Sequence, residues 1–166
     1  MEKLWKRRSK IIKKFIKSFE LKANFENHID WVNDIKIDQK NNLMISCSND
    51  KTIKLWKLPD LHSKESNNPI ESYYSTMSFN TFHGDYIKAI AYSEKKGNLF
   101  SAGLDGKILM TSLDDLLKHP KDANTFQDIH SLGANNSSVF AVDCDLSGDL
   151  MIASVYENVK INLFAF

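Results

Sequence analysis

Ser48-Asn49-Asp50-Lys51-Thr52-Ile53-Lys54-Leu55-Trp56 is the stretch that decides the fold. A polar turn hands over to a short run rich in β-branched, apolar and aromatic residues, the mark of a strand entered through a tight turn. Upstream lie Leu43-Met44-Ile45-Ser46-Cys47, the turn Asn41-Asn42, and His28-Ile29-Asp30-Trp31-Val32-Asn33-Asp34-Ile35. A shift of 55 residues lays 28–56 on 83–111, placing His28 on His83, Asp30 on Asp85, Trp31 on Tyr86, Val32 on Ile87, Asp50 on Asp105 and Ile53 on Ile108. Six matches without a gap make this an internal repeat, and self-similarity at a fixed period decides architecture before any local reading. A weaker third copy runs from Asn135 through Val139-Phe140-Ala141-Val142, the turn Ser147-Gly148-Asp149 and Leu150–Ser154 to Val159–Phe164, with Asn135 at the His position, Asn158 at the Asp position and Phe164 at the Trp position.

Each copy predicts strand, turn, strand, turn, strand. The runs Val32–Ile37, Leu43–Ser48, Ile53–Leu58, Ile87–Tyr92, Leu99–Gly103, Ile108–Leu113, Val139–Cys144, Leu150–Ser154 and Val159–Phe164 are short and bounded by Asn, Asp, Gly or Lys. Several are apolar on nearly every residue, as strands covered on both faces are. The pattern predicts an all-β repeat array.

The order His, Val/Ile, turn, Leu-x-Ser, Asp and Thr-Ile-Lys-Leu-Trp resembles the WD repeat, whose four-stranded sheets are the blades of a β-propeller. That resemblance implies a structural tetrad in the first copy: His28, a serine of the second strand (Ser46 or Ser48), Asp50 and Trp56. Asp50 can hold the imidazole, the imidazole can bind the serine hydroxyl, and that hydroxyl can accept from the indole N–H, so that each buried polar group has a partner. By composition the same set looks like a Ser-His-Asp catalytic triad. A triad needs an exposed nucleophile beside an oxyanion site, and no Gly-x-Ser-x-Gly is present, so the structural reading is preferred. His83, Ser101 and Asp105 repeat the arrangement with Thr111 where the Trp should be, which predicts a looser second tetrad. The third copy keeps none of the three residue types.

The resemblance implies about three blades and part of a fourth, an incomplete ring. The blades are read as 28–81 with a loop insertion at 59–71, 82–131 with an insertion at 114–130, and a degenerate, partial 132–166. Residues 1–27 are read as the end strands of a preceding blade, with Phe15–Glu20 its fourth strand and the basic run a turn. The competing readings there are an amphipathic helix or a nuclear-localisation patch. Seven blades at about 40–45 residues each need roughly 300 residues, so the chain is expected to be a piece of a larger propeller.

The 166 residues are 42% hydrophobic and 26% charged, the balance of a globular chain. The net charge of +1 hides an asymmetry: residues 1–17 carry eight basic side chains against Glu2, a local +7, which leaves −6 on the other 149 residues. A mildly acidic body argues against a broad phosphate-binding face, so neither nucleic acid nor a membrane is expected as partner. No apolar run reaches the roughly 18 residues of a membrane helix, no secretory signal is evident, and Cys47 and Cys144 lack metal-ligand spacing; an intracellular setting, cytoplasm or nucleus, is expected.

There is no HExxH, GxxxxGK[ST], dinucleotide loop or CxxC pair, which predicts a binding scaffold with no cofactor, metal or small-molecule substrate. The remaining nucleophile candidate is Cys144, near Asp143 and His130, against the plainer reading of a half-buried strand thiol. Asp30–Ile35, Asp85–Tyr92 and Ser101–Asp105 resemble consecutive early blades of the WD-repeat cofactors of ubiquitin-specific proteases. This implies a deubiquitinase as partner, with ubiquitin a second ligand. The alternative is an adaptor of another complex, such as a ubiquitin-ligase substrate receptor or an RNA-processing scaffold. WD propellers dock partners on the rim next to the His and on the turns between second and third strands. The resemblance therefore implies Asp30, Trp31, Asp34, Lys51, Asp85, Tyr86, Lys88 and Lys107 as contact residues, with Trp31 and Tyr86 foremost or else packed between blades.

Overall fold

The computed structural model describes residues 21, 23–59, 71–73, 75–80, 83–118, 127–131, 137–145, 147, 149–155 and 160–165. Two compact units emerge. The first, Met1–Phe25 with Pro59–Tyr73, contains β1 (Ala23–Phe25) and β5 (Glu71–Tyr73), paired in parallel with Ala23 opposite Glu71. The second, Glu26–Leu58 with Tyr74–Phe166, holds three sheets.

Sheet 1 runs β2 (Val32–Asp38), β3 (Leu43–Ser48), β4 (Thr52–Lys57), β6 (Met77–Asn80), antiparallel throughout. Sheet 2 repeats the order with β7 (Ile87–Ser93), β8 (Asn98–Gly103), β9 (Lys107–Ser112) and β10 (Gln127–Ser131). Sheet 3 comprises β11 (Val139–Cys144), β12 (Leu150–Val155) and β13 (Lys160–Ala165). All three carry a register shift at the same place, Val32/Asp34, Ile87/Ala89 and Val139/Ala141, so the repeat extends to the bulge. The turns repeat as well. Asn42 and Lys51 have positive φ (54° and 65°), and 55 residues on stand Gly97 and Gly106 (71° and 73°), where a missing Cβ makes that conformation easy.

The nine expected strands form within one or two residues of their predicted ends. Leu113, expected as the end of a strand, instead opens helix α1 (Leu113–Lys118), which follows Ser112, whose Oγ accepts from the Asp115 N–H (3.3 Å), and buries Leu113 and Leu116. The stretch 114–130, read as an insertion, holds all but the first residue of α1 and all but the last of β10, the fourth strand of sheet 2. Short edge strands such as Met-Ser-Phe-Asn and Gln-Asp-Ile-His-Ser carry too little apolar alternation to announce themselves. Phe15–Glu20 and the basic run lie outside the described residues.

Alternation along each strand sends side chains to the two faces of its sheet. Ile45, Cys47, Ile53, Leu55 and Phe79 of sheet 1 pack against Ile87, Ile90, Leu99 and Leu109 of sheet 2, with Leu113 and Leu116 of α1. One repeat later, Phe100, Ala102 and Ile108 pack with Ala89 and Ala91 of sheet 2 against Val139, Val142, Met151 and Ala153 of sheet 3. The packing therefore obeys the shift of 55: Phe100, Ala102 and Ile108 do for the second interface what Ile45, Cys47 and Ile53 do for the first. Each sheet contacts its sequence neighbour, as repeat architectures require.

Polar side chains latch sheet 1 to sheet 2. Asn33 Nδ2 donates to Ile87 O (2.7 Å) and to Asn49 Oδ1 (2.7 Å), and Lys88 Nζ donates to Asn33 Oδ1 (2.9 Å). Asp34 Oδ2 accepts from the Ile90 N–H (3.1 Å), and Lys51 Nζ donates to Gly84 O (2.7 Å).

Candidate functional site: the histidine-serine-aspartate networks and the loop edge beside them

The β3–β4 hairpin brings Asp50, in its turn, beside His28, which lies just ahead of β2. His28 Nδ1 donates to Asp50 Oδ2 (2.7 Å), which in the neutral imidazole leaves Nε2 as acceptor for the Ser46 hydroxyl (2.7 Å). Ser46 Oγ in turn accepts from Trp56 Nε1 (2.8 Å), one strand over on β4. The His28 and Trp56 rings stand 5.9 Å apart, and all three polar side chains are buried. Ser46, not Ser48, is therefore the serine of this network. Ser48 Oγ instead donates to Asp30 O (3.2 Å) and accepts from the Asp50 N–H (3.0 Å), fixing the turn.

Burial pushes the Asp50 carboxyl up, and opposing hydrogen bonds outweigh it: the Thr52 hydroxyl, His28, and the N–H groups of Thr52 and Ile29 bring it down to about 2. A carboxyl depressed in the folded state contributes stability that is full above about pH 4, the unfolded value, and is lost as the pH falls toward about 2. Asp50→Asn is expected to lower stability near neutrality and to flatten the wild-type decline between about pH 4 and 2. Urea unfolding across that window reads it; parallel pH slopes in both proteins would remove Asp50 from the acid transition.

Sheet 2 builds the same hub with one part missing. His83 Nδ1 meets Asp105 Oδ1 and Oδ2 (3.0 and 3.2 Å) and Nε2 meets Ser101 Oγ (2.9 Å). The strand passes close: a Cβ at Gly103 would sit 2.9 Å from His83 Nδ1 and from Tyr86 O. Burial pushes the Asp105 carboxyl up, but His83 and the N–H groups of Gly84 and Lys107 hold it below the usual carboxylate range. Thr111, opposite Leu99 as Trp56 is opposite Met44, buries a hydroxyl with no hydrogen-bond partner among the described residues. Thr111→Val, which deletes that hydroxyl at similar volume, is expected to stabilise by about 1 kcal/mol in urea unfolding, and a loss of stability would show that the oxygen is satisfied. In the third copy, Asn135, Asn158 and the Phe164 side chain lie outside the described residues.

Neither network is laid out for nucleophilic catalysis, because Ser46 and Ser101 are buried and each holds its histidine from inside the sheet. The thiols are equally unsuited. Burial, then the Asp34 charge, pushes Cys47 up to about 12. Burial, then Asp143 and Asp145, raises Cys144, so both stay protonated near neutrality. His130 lies in β10, and its side chain is outside the described set. Among the described residues no group of three or more His, Cys, Asp or Glu could hold a metal ion, and no helix is long and apolar enough to cross a membrane.

The eight expected contact residues divide. Asp34, Lys51 and Lys88 are engaged in the latches between sheets 1 and 2, work that sequence reasoning missed; Asn33 and Asn49, which accept from Lys88, it did not single out. Lys107 is half-buried, its N–H donating to Asp105 Oδ1 (3.1 Å). Asp30, Trp31, Asp85 and Tyr86 stand ahead of β2 and β7. Trp31 is 77% exposed and Tyr86 40%, so neither ring is packed away between sheets. Their backbones are pinned: Asp30 Oδ1 accepts from the Trp31 N–H (2.6 Å) and Asp85 Oδ1 from the Tyr86 N–H (2.7 Å).

The span that carries the first hub, from ahead of His28 through Trp56, is the one that matches a known repeat. Residues 19–57 carry a WD40 repeat. The matching family is described as WD domain, G-beta repeat, and its ending coincides with the end of β4 at Lys57. With three antiparallel sheets and one short helix among the described residues, the chain is nearly all β, in the manner of WD-repeat propeller blades. WD40 repeats are in general scaffolds for protein–protein interaction and are not enzymes as a class. In that frame the His28–Ser46–Asp50–Trp56 hub is the part that ties the loop ahead of the first strand to the second hairpin of its WD40 repeat.

Proposed function

We propose that this chain is a non-enzymatic WD-repeat scaffold that takes hold of a protein partner through the loop edge bearing Trp31 and Tyr86. The observation that carries the reading is the repetition of one device: an exposed aromatic ring, its backbone fixed by the preceding aspartate, at equivalent positions of neighbouring sheets. Rigid exposed aromatics supply contact area at small entropic cost, which is why such residues dominate binding energies. Asp30 and Asp85 flank the rings and favour a partner segment carrying basic residues. The blades of this scaffold are 28–81, 82–131 and 132–166.

The partner class is a ubiquitin-specific protease, with the chain as regulatory cofactor and ubiquitin as a second ligand. The support is the likeness of Asp30–Ile35, Asp85–Tyr92 and Ser101–Asp105 to early blades of such cofactors. Affinity purification from the native cell, followed by hydrolysis of a fluorogenic ubiquitin substrate with and without added chain, tests both levels. Recovery of a deubiquitinase whose rate rises with the chain, and whose binding falls tenfold or more with Trp31→Ala and Tyr86→Ala, is the expected result. Recovery of a cullin adaptor or a ribonucleoprotein instead would assign the same edge to a different complex. Unchanged binding by the double variant would remove the edge from recognition altogether.

A further inference from the structure

We infer, on the reading that the loop edge holds the partner, that the partner presents a basic segment in polyproline II conformation. Two of its cationic side chains, three residues apart, sit one over the Trp31 ring beside Asp30 and one over the Tyr86 ring beside Asp85.

Each seat joins the two groups that a cation seeks. Among the described residues neither exposed ring meets another ring or a cation. Asp30 Oδ1 and Asp85 Oδ1 accept from the N–H groups of Trp31 and Tyr86, and Oδ2 of each accepts from no described residue. The bond that pins the backbone thus also holds an unengaged carboxylate oxygen beside the aromatic residue, in both repeats. A cation on the face of such a ring is attracted by its π-electrons and by the carboxylate together.

The charges behind the edge favour the same occupant. Asp50 and Asp105 accept from the N–H groups of Ile29 and Gly84 (3.2 and 2.8 Å), and both carboxyls are held low enough to stay ionised near neutrality. Lys51 Nζ is bonded to Gly84 O and Lys88 Nζ to Asn33 Oδ1, while Lys107 is half-buried. Beside the rings the unengaged charged atoms are therefore carboxylate oxygens.

Spacing selects the conformation. Asn33 Nδ2, bonded to Ile87 O, ties the stretch after Trp31 to the stretch after Tyr86, and packed sheets lie about 10 Å apart. In polyproline II, side chains i and i+3 share one face and stand about 9 Å apart. A β-strand instead sends i and i+3 to opposite faces. Towards sheet 3 the strip stops, because Ser138 precedes β11 as Tyr86 precedes β7, and its hydroxyl donates to Leu104 O (3.0 Å). Two cations, not three, match the edge.

Fluorescence anisotropy of labelled peptides on the 166-residue chain, in about 50 mM salt so that screening is weak, tests the inference. The probe is Gly-Pro-Arg-Pro-Pro-Arg-Pro-Gly, compared with a peptide whose arginines stand four apart and one with glutamine at both places. The probe is expected to bind about tenfold tighter than the glutamine peptide, and tighter than the four-apart peptide. Asp30→Asn with Asp85→Asn, which keeps an oxygen for each pinned N–H, is expected to weaken the probe about tenfold and to flatten its salt dependence. Trp31→Leu, apolar but without a π-face, is expected to cost about threefold. Should the double variant lose the far-ultraviolet strand signal, each single Asn variant repeats the measurement with an expected loss of about threefold. No binding of the probe, equal binding of the glutamine or the four-apart peptide, or indifference to the Asn substitutions would overturn the inference. Partner capture that is lost with Trp31→Ala and Tyr86→Ala, in a chain with no preference for the probe, would refute the basic segment and leave the edge as the binding surface. Unchanged capture by that variant would overturn both.

Discussion

Trp56→Ala is expected to lower the free energy of unfolding by about 3–5 kcal/mol, the largest single effect outside the sheet interfaces. Two losses add. The buried indole leaves a cavity beside His28, and Ser46 Oγ loses the donor that completes its hydrogen bonds. Trp56→Phe separates them: it keeps most of the ring volume and removes the N–H, so a cost of about 1 kcal/mol is expected from the hydrogen bond alone. Urea denaturation of the three proteins measures both differences. An unchanged melting curve for Trp56→Ala would mean that the hub stabilises nothing.

Phe100→Ala is expected to cost a comparable 3–5 kcal/mol by a different route. Phe100 is fully buried between sheets 2 and 3, against Val139, Val142, Met151 and Ala153. Truncation removes the largest side chain of that cluster, and the alanines around it, Ala89, Ala91, Ala102 and Ala153, are too small to move into the space. Because the lesion lies between sheets, sheet 3 should loosen before sheet 1 does. Hydrogen exchange is expected to accelerate most in β11 and β12, and uniform acceleration through all three sheets would show instead that they unfold as one unit.

Much of this was open to sequence reading because hairpins hold distances constant. The 22-residue separation of His28 from Asp50 recurs between His83 and Asp105, and the geometry that results is the same hydrogen-bonded hub. The choice between Ser46 and Ser48 was not open, since both belong to β3 and only the pairing of β3 with β4 sets Ser46 across from Lys54 and within reach of Trp56. The latches were illegible for a stronger reason. Asn33, Asp34 and Lys88 are residue types that normally face water, and their partners lie 54 to 56 positions away on another sheet. Asp34 and Lys88 accordingly read as free surface charge. The short edge strand β10 and helix α1 escaped because six or fewer residues give no clear period.

The Asp34 latch also makes one amide unlike its neighbours. Ile90 N–H is held by a carboxylate from the adjoining sheet instead of by a carbonyl of its own. Sliding or parting of the two sheets would release that proton while both ladders stayed intact. Nature has in effect placed a reporter at the seam, one whose solvent exchange records the docking of repeat upon repeat separately from the melting of either.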